Sequence, residues 1–182
     1  KRAITVENIN LLENEKWQST GNTYSLSIAK DKLKGPCIIS HGDLLFEKIL
    51  IDQLLDSEGD IVLLADSSGI LGKRDFNYWI RGSLNPSENY GAEQLCDLED
   101  ITLGSNIYST AQWIGLIKVS ALGSKILKNN FNNFFETCSE AGMLGDYVKY
   151  LLSKNIEIKV KYSRGRWFDI DNKKDLELFE KR

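Results

Sequence analysis

Short apolar runs, each too short for a helix, limit this chain more than any other feature. "CIIS" (37–40), "GDIVLLAD" (59–66) and "QWIGLIKVS" (112–120) are bounded by turn formers or charges. Runs of this length and composition read as buried strands. Between them the apolar spacing changes to helical: Phe46, Ile49, Leu50, Leu54 and Leu55 behind the first run, and Val148, Leu151 and Leu152 in "DYVKYLLSKN". A further helix is expected from about Ser120 to Asn130. Near the start, "INLLEN" reads as a short strand over Ile9 to Leu12, and "STGNTYSLSIAKDKL" as a loop turning into a helix with Leu26, Ala29 and Leu33 on one face. "IEIKVKY" alternates, with Ile156, Ile158, Val160 and Tyr162 inward. Strands alternating with helices predict a Rossmann-like α/β fold with a mostly parallel sheet flanked by helices.

Composition narrows the classes of function. The 182 residues are 42% hydrophobic and 27% charged, ample for one domain with its own core. A net charge of −3 offers no basic face for nucleic acid, so a phosphate ligand has to be held by local groups or by a cation. Cys37, Cys96 and Cys138 are odd in number and widely spaced, which argues against a disulfide framework or a zinc site and for a cytoplasmic setting. No apolar run approaches the length of a membrane span. From Ser67 to Ser109 the pattern loosens, and the turn formers and aromatics of "YWIRGSLNPSENYG" predict an irregular or hairpin-like excursion.

In open α/β sheets ligands sit beyond the carboxyl ends of the strands. Asp43 follows the first buried run there, and Asp169 and Asp171 stand where "RWFDID" gives way to a final helix. Each has an ordinary structural role open to it: Asp43 as a turn former, Asp171 or Asn172 as a helix cap with Asp175 in the first turn. Together, carboxylates from two remote strand ends suit a hard divalent cation, which completes its shell with water and phosphate oxygens. His41 is the only histidine. Lys161, Arg164 and Arg166 precede the second acidic segment, either as phosphate or phosphonate contacts or as a solvated basic loop. Tyr78, Trp79, Tyr90 and Trp167 have the chemistry of a cage for an ammonium group, or of plain packing.

"SHGDLLFEKILIDQLLDSEGDIVLLAD" and "GRWFDIDNKKDLELFEK" resemble two segments of the nucleotidyltransferase family. More narrowly, they are similar to cytidylyltransferases for phosphocholine and for phosphonates such as 2-aminoethylphosphonate, including domains fused to phosphoenolpyruvate phosphomutase. "NEKWQSTGNTYSLSIAKDKL" and "AQWIGLIKVS" resemble two further segments, in order along nearly the whole chain. The resemblance implies a fold of the nucleotide-diphospho-sugar transferase type and transfer of a nucleotidyl group from a nucleoside triphosphate, CTP foremost, to a phosphate or phosphonate acceptor. It implies Mg2+ held by Asp43 with Asp169 or Asp171. Gly21, Asn22, Ser25 and Gly42 then fall on the nucleotide, and Gln112, Trp113 and Gly115, with Arg164 and Arg166, on the acceptor. A homodimer or fusion to a second catalytic domain fits the same family. The family's opening strand and Gly-rich phosphate loop have no counterpart here; "SSGILGK" (67–73) follows the wrong strand. The expectation is a nucleotidyltransferase-like domain over 1–182, truncated at its N-terminal side, with its first strands missing and its activity in doubt. A metal-dependent glycosyltransferase and a non-catalytic binding fragment are the other readings.

Overall fold

Five apolar residues and a closing aspartate, Ile61–Asp66, form a strand buried at every position, β3. A strand buried on both faces needs cover above and below, and its neighbours provide it. In the computed structural model, which describes residues 9–68, 77–86, 94–104, 108–170, 172–173 and 175, the other main strands are β1 (Cys37–Ser40), β4 (Tyr78–Gly82), β5 (Leu95–Leu103), β6 (Ala111–Val119) and β7 (Lys159–Ser163). They pair in the order β1-β6-β3-β7-β5-β4, and β4 also meets the start of β6. A separate two-stranded ribbon joins β2 (Leu44–Phe46) to β8 (Trp167–Asp169). The helices are α1 (Asn22–Ile28), α2 (Lys48–Leu55), α3 (Ala121–Thr137) and α4 (Leu144–Ser153).

The α/β class is as expected, but the parallel sheet needs correction. Among the described pairings only β3–β7 is parallel; β1–β6, β3–β6, β5–β7, β4–β5 and β4–β6 are antiparallel. The reason lies in the loosened middle of the sequence. β4 and β5 pair antiparallel there, and β6 enters between β1 and β3 running against both. β1 and β3 are thus linked through α2 yet are not neighbours.

Other expectations shift with the packing. Ile9 to Leu12 form no strand, and Leu11 is 90% exposed. "CIIS" is a strand, but its burial is partial because β6 is its only described neighbour. Phe46 belongs to β2 rather than to the helix behind it; on α2, Leu50 and Leu54 are buried while Ile49 and Leu55 are exposed. The helix expected to end near Asn130 continues to Thr137, because Phe131 and Phe134 keep the buried stripe going against Tyr147. Ser120 caps it, accepting from the backbone N–H groups of Leu122 and Gly123. Asn172 and Asp175 bond reciprocally, as a capping box does. Val160 and Tyr162 point inward as the alternation predicts, and Ile156 is half-buried. Asp171, Tyr90 and most of "SSGILGK" lie outside the described residues.

Two apolar clusters divide the interior. The larger joins β3, β6 and β7 to α3 and α4 through residues such as Leu63, Ile117, Val160, Phe131 and Tyr147. The smaller lies on the other side of the sheet and joins Leu50, Leu54, Val62, Leu64, Leu116 and Trp167. Among the described residues no helix is long and apolar enough to cross a membrane.

Candidate active site

The chain turns at the end of β1, and the residues that follow line a cavity of about 490 Å³. That volume suits a small-molecule ligand. Ser40, His41, Gly42 and Asp43 form one rim, Asn22 and Ser25 of α1 another, and Asp169 of β8 a third. Gln112, Trp113 and Gly115 contribute from β6, so eight of the residues expected to meet ligand share one space: Asn22, Ser25, Gly42, Asp43, Gln112, Trp113, Gly115 and Asp169.

Two remote carboxylates come together because β2 and β8 pair. Leu44 stands opposite Asp169 and Phe46 opposite Trp167, and the backbone N–H of Ile170 donates to the Asp43 carbonyl at 2.9 Å. Asp43 thus stands opposite Ile170, one position beyond Asp169 at the end of the ribbon, and both carboxylates line the cavity. Asp43 is exposed and Asp169 half-buried. Among the described residues no group of three or more His, Cys, Asp or Glu is placed to hold a metal ion. A pair of carboxylates open to a cavity fits an ion that takes its remaining oxygens from water and substrate phosphate, as magnesium does. It does not fit a cage made of protein alone.

β6 is bulged here. Its register against β3 jumps between Leu64 and Ala65, so that Leu116 and then Trp113 are the partners, and Gly115 has φ +86°. A Cβ at that glycine would lie 2.8 Å from the Nδ1 atom of His41. Only glycine combines that backbone angle with such close approach. Across the bulge, the Trp113 indole N–H donates to the Leu116 carbonyl at 3.1 Å, which fixes the ring. His41 meets Trp113 edge-on at 5.3 Å between centroids, and Tyr78 does so at 6.2 Å. Burial holds the His41 pKa below its ordinary value, outweighing the opposing pull of Asp43. Burial thus favours the neutral form of the ring.

α4 closes the far side. The Asn22 carboxamide oxygen accepts from the Leu144 backbone N–H at 2.6 Å, capping a helix 122 residues away, and its Nδ2 lies 3.5 Å from the His41 Nε2. The Tyr78 hydroxyl donates to Asp146 at 2.8 Å; burial, then that bond, raises the phenol's pKa. Its ring lies so close to Gly145 that a Cβ there would stand 2.3 Å away.

Several expected residues are elsewhere. Gly21 is packed against the Gly142 carbonyl and its N–H donates to Glu140, which explains the glycine by packing. Arg164 and Arg166 are exposed and do not line the cavity; Arg166 lies 3.8 Å from Glu47. Tyr78 and Trp167 line the cavity, whereas Trp79 does not. Sequence reasoning missed Asn77, Met143, Leu144 and Gly145. Of these only Gly145, the second residue of α4, carries a signal, since a glycine inside a helical pattern marks a close approach.

No protein-family model matches the sequence, and a search of curated proteins finds no match. Solved structures do match. The inositol-1-phosphate CTP transferase from T. maritima superposes with a TM-score of 0.71 at 18% identity, over 93% of this chain and 63% of that one. The CTP:phosphocholine cytidylyltransferase from Streptococcus pneumoniae gives 0.62 at 17% identity, over 92% and 66%. A UDP-glucose pyrophosphorylase from Acinetobacter baumannii gives 0.57 at 13%, over 81% and 50%. The chain thus spans about two thirds or less of the length of these structures. What they share with it is the fold.

Proposed function

We propose that this domain transfers a nucleotidyl group from a nucleoside triphosphate to an oxygen of a phosphate or phosphonate acceptor, with release of pyrophosphate. The observation that carries this reading is that Asp43 and Asp169 line one cavity together with Asn22, Gln112 and Trp113. CTP is the donor of this reading, in keeping with the CTP-using enzymes that superpose with TM-scores of 0.71 and 0.62.

Asp43 and Asp169 are the residues that would hold Mg2+, with Asp171 two residues beyond Asp169 in sequence. When bound, the ion supplies positive charge at the α-phosphate, which is needed because no lysine or arginine lines the cavity among the described residues. The acceptor oxygen attacks the α-phosphorus; the new P–O bond forms as the bond to the bridging oxygen breaks, and pyrophosphate leaves. A phosphate or phosphonate monoester already carries an anionic oxygen at neutral pH, so no side chain has to remove a proton. This agrees with a neutral His41, which serves by shape and hydrogen bonding. Gln112, 4% exposed, presents an amide to the acceptor, and Trp113 a flat apolar face.

The test is pyrophosphate release by the intact protein with CTP, UTP, ATP or GTP, Mg2+ and a panel of phosphate and phosphonate monoesters. Turnover with one acceptor is expected, and Asp43→Ala should lower it by at least about a hundredfold. Turnover retained in Asp43→Ala would overturn the assignment. Hydrolysis of a nucleotide-sugar without pyrophosphate release would favour the glycosyltransferase.

A further inference from the structure

Asp66 closes the fully buried strand β3, and nothing in the proposed chemistry uses it. Its side chain is only 8% exposed, a costly place for a carboxylate unless both oxygens accept hydrogen bonds. Both do. Oδ1 accepts from the Ser68 backbone N–H at 2.7 Å, an ordinary turn bond. Oδ2 accepts from the Trp167 indole N–H at 3.0 Å, from a residue 101 positions away. A turn explains the first bond and leaves the second to be explained.

Trp167 begins β8, which among the described residues pairs only with β2. Side chains two apart on a strand share a face, so Trp167 and Asp169 lie on the same side of the ribbon. Both line the cavity. Among the described residues the ribbon joins no larger sheet, so side chains contribute to its orientation. Trp167 is its anchor, 5% exposed among Leu50, Leu54, Leu64 and Leu116. Apolar packing alone tolerates rotation of a ring; a hydrogen bond from the indole to a buried carboxylate on the central strand does not.

We infer that Asp66 is a positioning residue: acting through the Trp167 indole, it sets the pitch of β8 and so holds Asp169 in the cavity that Asp43 also lines, where the two share one divalent ion. The inference rests on the ion-binding reading of that carboxylate pair. Asn at position 66 keeps the shape but has one acceptor oxygen and one donor group, so it turns an N–H toward Ser68 or toward Trp167. Phe at position 167 removes the indole N–H and leaves the Asp66 charge in place.

The experiment is titration of the intact protein with Mn2+, read as paramagnetic broadening of backbone amide NMR signals around Asp43 and Asp169, with thermal unfolding followed in parallel. Wild type should broaden there. Asp66→Asn and Trp167→Phe should each need about tenfold more Mn2+ while unfolding cooperatively. A lower melting temperature with an unchanged Mn2+ midpoint would make the bond merely structural and overturn the inference. An effect of Asp66→Asn without one of Trp167→Phe would assign it to charge, and would overturn the inference too. Wild type that does not broaden would refute the ion reading itself, a failure distinguishable because no variant is involved.

Discussion

Two kinds of group line the cavity: His41, Trp113 and Tyr78 stand ring against ring, while Asp43 and Asp169 lie at the end of a ribbon whose strands are three residues long. The aromatic group grows from β6, β4 and the end of β1 in the main sheet, and two of its rings are held by hydrogen bonds from Trp113 to Leu116 and from Tyr78 to Asp146. The carboxylate side depends on register within the ribbon and on one tryptophan buried in the smaller core. The contrast separates two demands. A wall that recognises shape has to be rigid and uncharged, whereas carboxylates that share an ion have to stand close to each other while exposed to solvent and substrate.

The largest effect on the rigid wall should come from Gly115→Ala. The backbone there is left-handed and the new methyl group meets His41, so a loss of about 1–3 kcal/mol of stability is expected. Urea unfolding would measure it, and a loss too small to resolve would show that His41 yields easily.

A smaller and pH-dependent effect concerns His41. Its folded pKa lies below the ordinary 6.5 because burial disfavours the charged ring. The unfolded chain therefore binds the proton first, so stability contributed by the neutral ring is full above about 6.5 and is lost as pH falls toward the folded pKa and below. His41→Gln should flatten that slope without a metal present. An unchanged slope between about pH 7 and pH 5 would assign it to other groups.

Much of this arrangement is legible in the residues alone. β3 and β6 are legible because a strand buried on both faces has no polar alternation to confuse it. That Asp43 and Asp169 reach one cavity follows from their places after strand ends, where Asp169 also interrupts an apolar run. The antiparallel pairings are not, since direction is decided by the chain's path through Ser67 to Ser109, where local pattern is weak. Periodicity misplaces Phe46 for a related reason: one apolar residue fits a three-residue strand and a helical face equally well. Asp66 reads simply as the end of a strand, because its partner Trp167 is 101 positions away and no local pattern carries that information.

The most direct test of the central claim is whether Asp43 and Asp169 act on the same ion. Mn2+ broadening would be compared in Asp43→Ala, Asp169→Ala and the double variant, each with the fold checked by its amide spectrum. The account predicts that either single change abolishes broadening at the ribbon's end and that the double change does nothing more. Broadening that survives Asp169→Ala at the wild-type Mn2+ concentration would show that the two carboxylates do not share a site, and would contradict it.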